Sequence, residues 1–238
     1  MGFDGRMPRR RSARLAAPRH WIAVSISLFV LVISLGFATR YIAGLTTPQL
    51  AIDRAINSTA TGTGTGVALI LDKLDQPVVI GLILLVFFLI IGLRSSWLRA
   101  LGFCIVTGAG WLTCLVVKDF VRQPRPVDVG LSHPIHVAAA TLSYPSGHVT
   151  FVVALGVALI ALARHRGAKV VVGIVMFVVA LVVGASRLYL GLHYPSDIFG
   201  AILCGIAGTI LFIGLWNLVI RGVQKIRRPV ASRRRTAA

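Results

Sequence analysis

The chain has 238 residues, of which 56% are hydrophobic and 13% are charged, and its mean hydropathy is +0.85. A single water-soluble core cannot bury so much apolar surface, so the composition excludes a soluble globular protein and predicts a membrane protein. The formal net charge is +18, and its distribution between the two sides of the membrane predicts the orientation of the chain.

Six apolar runs predict six membrane-spanning helices. A hydrocarbon core of roughly 30 Å requires about 20 apolar residues per helix, with about 17 to 25 tolerated. Six arginines precede the first run, as in a secretory signal peptide, but its 18 residues and the bulky Arg40 and Tyr41 favour an uncleaved anchor. The fourth run is short, and we expect its helix to begin near Ser146. Ser146 would then be the N-cap residue ahead of Gly147. The runs occupy residues 21–38, 77–93, 100–117, 149–163, 170–185 and 198–220.

The connection between the first two spans, residues 43–76, allows two interpretations. Its TGTGTG sequence, residues 61–66, has the composition of a hinge between QLAIDRAI and VALILDKL. Both of these stretches carry apolar residues and can lie in the membrane interface as amphipathic helices. A loose linker explains the same residues equally well.

Charge orients the predicted spans. With a cytoplasmic N-terminus, the inner segments carry a net charge of +17 and the outer segments carry +1. This asymmetry follows the positive-inside rule, so both termini are predicted to be cytoplasmic. The predicted domains are a basic tail at 1–20, a six-span domain at 21–220 and a second basic tail at 221–238. The tails are expected to contact anionic phospholipids, at about 1 kcal/mol per cation, and not nucleic acid.

In this orientation all the polar clusters lie at the outer face. Span three ends near Lys118, span four begins near Ser146, span five ends near Arg187 and span six begins near Asp197. The clusters are KDFVRQPRP at 118–126, YPSGH at 144–148 and SRLYLGLHYPSD at 186–197.

Cations and free helix amides in these clusters predict an anion site. The cations are Lys118, Arg125 and Arg187. Ser146 and Gly147 open a helix whose first amides have no partner within the helix, so they can bind an anion, most naturally a phosphate.

Two histidines and a carboxylate add the means for chemistry on that phosphate. His193 and Asp197 are four residues apart and would share one face of a helix. The carboxylate can then hold one ring nitrogen while the other attacks. His148 lies beside the predicted anion site.

Taken together, the clusters resemble the signature of the type 2 phosphatidic acid phosphatase (PAP2) superfamily. This superfamily includes membrane lipid phosphatases and, on a related soluble fold, vanadium haloperoxidases. The spacings Lys-x6-Arg-Pro, Pro-Ser-Gly-His and Ser-Arg-x5-His-x3-Asp are present in order and without a substitution. The resemblance covers about residues 69–220. It agrees with an all-α membrane fold, a six-helix bundle with partly helical outer loops.

The resemblance implies a metal-independent lipid phosphatase with a role for each residue. His193 attacks phosphorus to form a phosphohistidine, and Asp197 orients its ring. His148 protonates the departing oxygen and then activates water. No metal or other cofactor is implied. The phosphoryl oxygens are held by Lys118, Arg125, Arg187, Ser146 and the Gly147 amide.

Four alternatives stay open at this point. The HPIH sequence at 133–136, together with His148, His193 and Asp197, contains zinc-ligand types, but three nearby cations would repel a divalent ion. An anionic-lipid-binding or transport protein would use the same cations without cleaving lipid. A haloperoxidase is disfavoured because those relatives are soluble. A phosphotransferase would pass the phosphoryl group to another lipid.

The position of the site predicts a lipid substrate. A site at the outer membrane face, reached sideways from the bilayer, suits a phosphate on an acyl or polyprenyl anchor. The short loops and the Arg-rich composition favour a bacterial cytoplasmic membrane. The resemblance implies the specific lipids, since the usual substrates of bacterial members of that superfamily are undecaprenyl diphosphate, phosphatidylglycerol phosphate and phosphatidic acid. Undecaprenyl diphosphate is preferred, because its outer-leaflet diphosphate must be reset to a carrier monophosphate.

Overall fold

A computed structural model describes residues 13–126, 130–133 and 142–235, with side chains omitted for Ala43 and for 226–235. Helices dominate the described part of the chain. In chain order they are α1 (Trp21–Tyr41), α2 (Ala43–Asn57), α3 (Gly62–Asp72), α4 (Pro77–Arg94), α5 (Trp97–Val121), α6 (Gly147–Leu162), α7 (Arg166–Tyr189) and α8 (Pro195–Arg235).

The predicted all-α membrane fold is confirmed, and each of the six predicted spans corresponds to a helix. Among the described residues, α1, α4, α5, α7 and α8 are long and apolar enough to cross a membrane. Helix α6 has only 16 residues, which is about 24 Å at about 1.5 Å per residue. Because α6 packs against α5, α7 and α8 and most of its residues are buried, it is the inner helix of the bundle.

Local sequence sets the helix ends that matter for the site. Helix α5 stops at Arg122, whose φ of +55° is left-handed and whose N–H bonds the Lys118 carbonyl at 2.8 Å. Helix α8 starts at Pro195, a residue suited to the first helical position because its missing N–H would have no helical partner. Ser146 is the N-cap of α6, as predicted, but its side chain makes no capping hydrogen bond.

The first long connection is helical, which confirms the helices that the amphipathic interpretation predicts and shows the loose-linker interpretation to be wrong. Helices α2 and α3 both pack on α7. The TGTGTG sequence is not a hinge, because Thr61 is the N-cap of α3 and its hydroxyl accepts the Gly64 N–H at 3.2 Å. The Tyr189 hydroxyl of α7 accepts the Thr61 N–H at 2.6 Å. A 3-10 turn, Lys73–Asp75, follows α3 and leads into α4.

Helices α5 and α8 approach closely through small residues. A Cβ atom added to Gly208 would lie 2.5 Å from the Thr113 hydroxyl oxygen and 2.8 Å from the Gly110 carbonyl oxygen. Close contact of this kind lets the two backbones pack directly, which is how membrane helices commonly associate. The contact fixes the position of α8, and α8 carries part of the site.

Replacing Gly208 by leucine should therefore destabilise the bundle. The added side chain must separate α5 from α8, and overpacking of this kind costs about 1–3 kcal/mol. We expect a lower Tm in detergent for Gly208→Leu. The matched control is Gly81→Leu on α4, where an added Cβ meets nothing within 4 Å. Equal Tm values for the two variants would contradict this packing.

Candidate active site

The predicted site residues come together at one end of the bundle. The C-terminal ends of α5 and α7 meet the N-terminal ends of α6 and α8 there. A cavity of about 430 Å³ opens between them. Its lining includes Lys118, Arg125, Gly147 and His193, so cations, a helix N-terminus and an imidazole face one space.

His193 and Asp197 are in contact, although not in the predicted way. The sequence predicts both on one helix face, but His193 precedes α8, which begins at Pro195. Asp197 lies in the first turn, and its Oδ2 atom accepts the Tyr194 N–H at 2.9 Å and lies 3.1 Å from His193 Nδ1. Asp197 therefore caps its own helix and holds the histidine ring with the same oxygen.

The partners of His193 fix its protonation state. Arg125 Nη1 lies 3.3 Å from His193 Nε2, and an arginine can only donate. Nε2 therefore carries the lone pair, and Nδ1 carries the hydrogen donated to Asp197. The ring is 2% exposed. Burial, followed by the charges of Arg125 and Lys118, holds the pKa of His193 well below its usual range.

His148 lies between two aspartates that precede α4. Its Nε2 atom is 2.8 Å from the Asp72 carbonyl oxygen and 3.7 Å from Asp72 Oδ1. Its Nδ1 atom is 3.5 Å from Asp75 Oδ2. Arg187 Nη1 lies 3.4 Å from Nε2. The ring is thus held by the end of α3 and by the turn that follows it.

Arg187 is completely buried and bonded to protein groups. Its Nη1 atom donates to the Asp72 carboxylate, and its Nη2 atom donates to the Ala68 carbonyl at 2.9 Å. Both its Nε and Nη2 atoms lie within hydrogen-bond distance of the Ser186 hydroxyl. These contacts fix the guanidinium beside His148.

Lys118 and Ser146 complete the predicted set. Lys118 Nζ donates to the carbonyl oxygens of Leu142 and Ser143, at 3.0 and 3.2 Å. The Ser146 N–H bonds the Asp197 carbonyl at 3.2 Å, which joins α6 to α8. The Ser146 hydroxyl is buried and has no hydrogen-bond partner within the described residues. Such a hydroxyl is available to a ligand.

Asp72 and Asp75 are site residues that the sequence does not predict. They belong to none of the three motifs, and in the sequence they contribute only to the net charge of the outer segments. A weak signal exists, since both follow the apolar VALIL stretch immediately before a span on the site side. Many surface carboxylates have the same neighbours.

The alternative zinc site receives no support from His133. Its N–H donates to the Asn57 side-chain oxygen at 2.8 Å, and its ring Nδ1 lies 3.3 Å from the Asn57 carbonyl oxygen. Across 13–126, 130–133 and 142–235, no three His, Cys, Asp or Glu side chains are placed to share a metal ion. His136 lies outside the described residues.

Comparison with known families decides the classification. The family model described as "PAP2 superfamily" matches residues 97–221, which is more than half of the chain. The chain belongs to the PAP2 superfamily. The resemblance drawn from the three motifs is thereby confirmed, and the matched residues include every predicted site residue.

Curated PAP2-type relatives are similar over part of their length. Undecaprenyl-diphosphatase BcrC of Bacillus subtilis is 30% identical over 115 residues, covering 48% of this chain and 56% of that protein. Phosphatidylglycerophosphatase B of the same organism is 31% identical over 140 residues, covering 56% and 64%. The chain thus spans less than two thirds of the length of these relatives.

Two solved structures share the fold. The B. subtilis PAP2-type phosphatidylglycerolphosphate phosphatase has a TM-score of 0.68 at 24% identity, covering 80% of this chain and 94% of that one. Aquifex aeolicus LpxE has a TM-score of 0.54 at 21% identity, covering 69% and 94%. Both likenesses support the PAP2 membrane fold.

A further carboxylate lies behind the site. Asp53 on α2 is fully buried, and neither of its side-chain oxygens has a hydrogen-bond partner within the described residues. Gln49, one turn earlier on α2, accepts the Ser196 N–H at 2.9 Å, so this face of α2 packs on the start of α8. Burial, and secondarily the charge of Asp197, raises the pKa of Asp53 to about 7.

Asp53→Asn should stabilise the protein in a pH-dependent manner. The ordinary pKa of an aspartate is about 4, so folding favours protonated Asp53, and ionising it in the folded state costs stability. Below about pH 4 the two proteins should have similar Tm values. The advantage of the asparagine variant should grow between about pH 4 and 7 and stay constant above it. A Tm difference that does not change with pH would contradict the burial of an unpaired carboxylate.

Proposed function

We propose that this protein is a lipid phosphatase that removes the terminal phosphate of a lipid phosphate or diphosphate through a phosphohistidine intermediate. The observation that carries the proposal is the state of His193. Its Nδ1 hydrogen is directed at Asp197, its Nε2 lone pair lies beside Arg125 Nη1, and the residue lines a cavity together with Lys118 and Arg125. That is the arrangement required of a nitrogen nucleophile.

In the first step, His193 Nε2 attacks phosphorus as the bond from phosphorus to the leaving oxygen breaks. Asp197 stabilises the positive charge that develops on the ring. His148 donates its Nε2 hydrogen to the leaving oxygen. The lipid product departs, and the phosphoryl group stays on His193.

In the second step, water replaces the lipid. His148, now neutral, accepts a proton from water while the oxygen attacks phosphorus. The bond from phosphorus to His193 breaks, and inorganic phosphate is released. The enzyme returns to its starting protonation state, and neither step calls for a metal ion.

The cations bind the phosphoryl oxygens and stabilise the charge as it moves in the transition state. Lys118 and Arg125 line the cavity, and Arg187 lies beside His148. Charge placed before the reaction begins lowers the barrier without reorganisation. The Ser146 hydroxyl and the Gly147 amide supply neutral donors at the start of α6.

Undecaprenyl diphosphate is the proposed substrate. Undecaprenyl-diphosphatase BcrC supports this choice, and so does the putative undecaprenyl-diphosphatase YbjG of Escherichia coli, which is 33% identical over 95 residues. Phosphatidylglycerol phosphate is the second candidate, supported by the relative and the structural neighbour that are phosphatases of that lipid. Phosphatidic acid, or transfer of the phosphoryl group to another lipid, would use the same site.

The proposed location is a bacterial cytoplasmic membrane, with the site facing outside and both termini in the cytoplasm. The charge of the connecting segments supports this orientation, because the site end carries almost no net charge and the opposite end is strongly basic. An outer-leaflet lipid diphosphate would then reach the site directly.

Anionic phospholipids are proposed to bind the basic segments at the opposite end. A cavity of about 370 Å³ there is lined by Arg14, Arg19, Arg221 and Asn217. The Asn217 side-chain oxygen accepts the Leu15 N–H at 3.0 Å, and the Asn217 side-chain nitrogen donates to the Leu15 carbonyl at 2.8 Å. These two hydrogen bonds fix the backbone next to Arg14. Native mass spectrometry should show anionic lipid retained by the wild type and lost when the three arginines become glutamine. Arg166→Gln is the control. If the variant with the three arginines replaced retained as much anionic lipid as Arg166→Gln, the proposed lipid partner would be contradicted.

Purified protein in detergent should release phosphate from undecaprenyl diphosphate in the presence of EDTA. His193→Ala should lose at least about 1,000-fold in kcat, because nothing else in the cavity replaces the nucleophile. Parallel assays with phosphatidylglycerol phosphate and phosphatidic acid rank the substrates. Turnover by His193→Ala near the wild-type rate would overturn the mechanism, and loss of activity in EDTA would revive the zinc alternative.

The pH dependence of kcat/KM should show the depressed pKa of His193. Attack requires the neutral ring, so activity should be lost only as the pH falls through a value below the ordinary 6.5. Arg125→Gln removes a charge that disfavours the protonated ring, so its acid limb should lie at a higher pH than in the wild type. An acid limb that does not move would contradict the contact between Arg125 and His193.

A further inference from the structure

The carboxylate of Asp75 bridges a tryptophan and the second histidine of the site. Asp75 closes the 3-10 turn after α3. Its Oδ1 atom accepts the Trp111 indole N–H at 3.2 Å, and its Oδ2 atom lies 3.5 Å from His148 Nδ1. Trp111 stands on α5, so a spanning helix fixes the carboxylate that faces the ring.

The opposite side of the His148 ring faces another acceptor. Nε2 lies 2.8 Å from the Asp72 carbonyl oxygen, which can only accept, and 3.4 Å from Arg187 Nη1, which already donates to the Asp72 carboxylate. The shorter contact assigns a hydrogen to Nε2. Nδ1 faces a carboxylate oxygen, which favours a hydrogen on Nδ1 as well. A ring with an acceptor beside each nitrogen is suited to the doubly protonated imidazolium.

The charge of the cavity leads to the same conclusion. Asp75 and Asp119 line the cavity together with Lys118 and Arg125, and a bare carboxylate on Asp75, the one beside His148, would repel an incoming phosphate. A protonated His148 cancels that charge. The chain also makes room for the carboxylate, since a Cβ on Gly147 would lie 2.6 Å from Asp75 Oδ2 and 3.0 Å from Oδ1.

We propose that Asp75, oriented by Trp111, is a positioning residue that keeps His148 protonated until its proton passes to the leaving oxygen. The inference rests on the proposed phosphatase function and adds a carboxylate partner for the second histidine. The leaving oxygen takes the place of the Asp72 carbonyl at Nε2. As the bond to phosphorus breaks, the Nε2 proton moves to that oxygen, and the Nδ1 hydrogen stays directed at Asp75. Water later returns a proton to Nε2.

Other charged or titratable groups also face His148 within the described residues. Asp72 on α3 favours the protonated ring, and Arg187 on α7 opposes it. His193, ahead of α8, lies near enough for the charges of the two rings to affect each other. Asp72 and Arg187 are themselves ion-paired, so much of their effect on the ring cancels. Burial of the ring also opposes its protonation, so the Asp75 carboxylate, together with the Asp72 carbonyl, is needed to offset that cost.

The first test compares substrates with different leaving groups. An alkoxide leaving group, as in phosphatidic acid, needs the proton from His148, whereas p-nitrophenolate does not. Asp75→Asn should lower kcat/KM for phosphatidic acid by about 10- to 100-fold and that for p-nitrophenyl phosphate much less. Asp75→Glu should recover part of the loss. Trp111→Phe should show a weaker form of the same pattern.

The second test follows protonation directly and needs no turnover. In nitrogen-15 histidine-labelled protein in micelles, Asp75→Asn should move the titration of His148 to lower pH by about one unit or more. The basic limb of the pH–rate profile should move in the same direction. Asp119→Asn is the matched control, because it removes a carboxylate from the same cavity wall without touching the Asp75 contacts. Its basic limb should stay in place.

Two results would overturn the proposal. One is an equal loss for both leaving groups with an unmoved basic limb, which is the pattern of a purely structural residue. The other is a His148 titration that Asp75→Asn does not change. A failure of the proposed function is distinguishable from both, since it would appear as turnover that survives His193→Ala.

Discussion

The buried carboxylate of Asp197 is the constraint on which the site depends. One of its oxygens holds the backbone N–H of Tyr194 and the ring of His193, and its own carbonyl accepts the N–H of Ser146. The first turn of α8 therefore positions both the nucleophile and the start of α6. Because α8 is in turn fixed by its close contact with α5, the bundle and the site are built on the same packing.

Charge at the site end is balanced by the first connection. The cations come from the ends of the spans, and two of the carboxylates, Asp72 and Asp75, come from the end of α3 and the turn after it. Arg187 would be costly to bury without such a partner. The connection is thus part of the site. Its packing on α7 has a chemical consequence, because it brings acceptors to the ring of His148.

Much of this arrangement could be predicted from the sequence. Hydropathy located the spans, and the three motifs located His148, His193 and the cations. The contact of His193 with Asp197 was expected from helical spacing, but it arises because Asp197 reaches back from the first turn of its helix. The acceptors of His148 could not be predicted, since nothing in the sequence distinguishes Asp75 from a surface charge. The sequence left helix α3 ambiguous because glycine is a poor helix former. Two contacts decide its structure: Thr61 caps its first turn, and the Thr61 N–H bonds the Tyr189 hydroxyl of α7.

The most direct test of the account is to trap the covalent intermediate. A lipid monophosphate, the leaving group from a lipid diphosphate, depends less on a proton from His148 than an alkoxide does, whereas the second step needs a base to activate water. His148→Ala should therefore slow the second step more than the first and accumulate the phosphorylated enzyme. Rapid acid-free quenching followed by peptide mass spectrometry should find one phosphoryl group on His193, more abundant in His148→Ala than in the wild type. Continued phosphate release with no phosphoryl group on His193 in either protein would contradict the central claim.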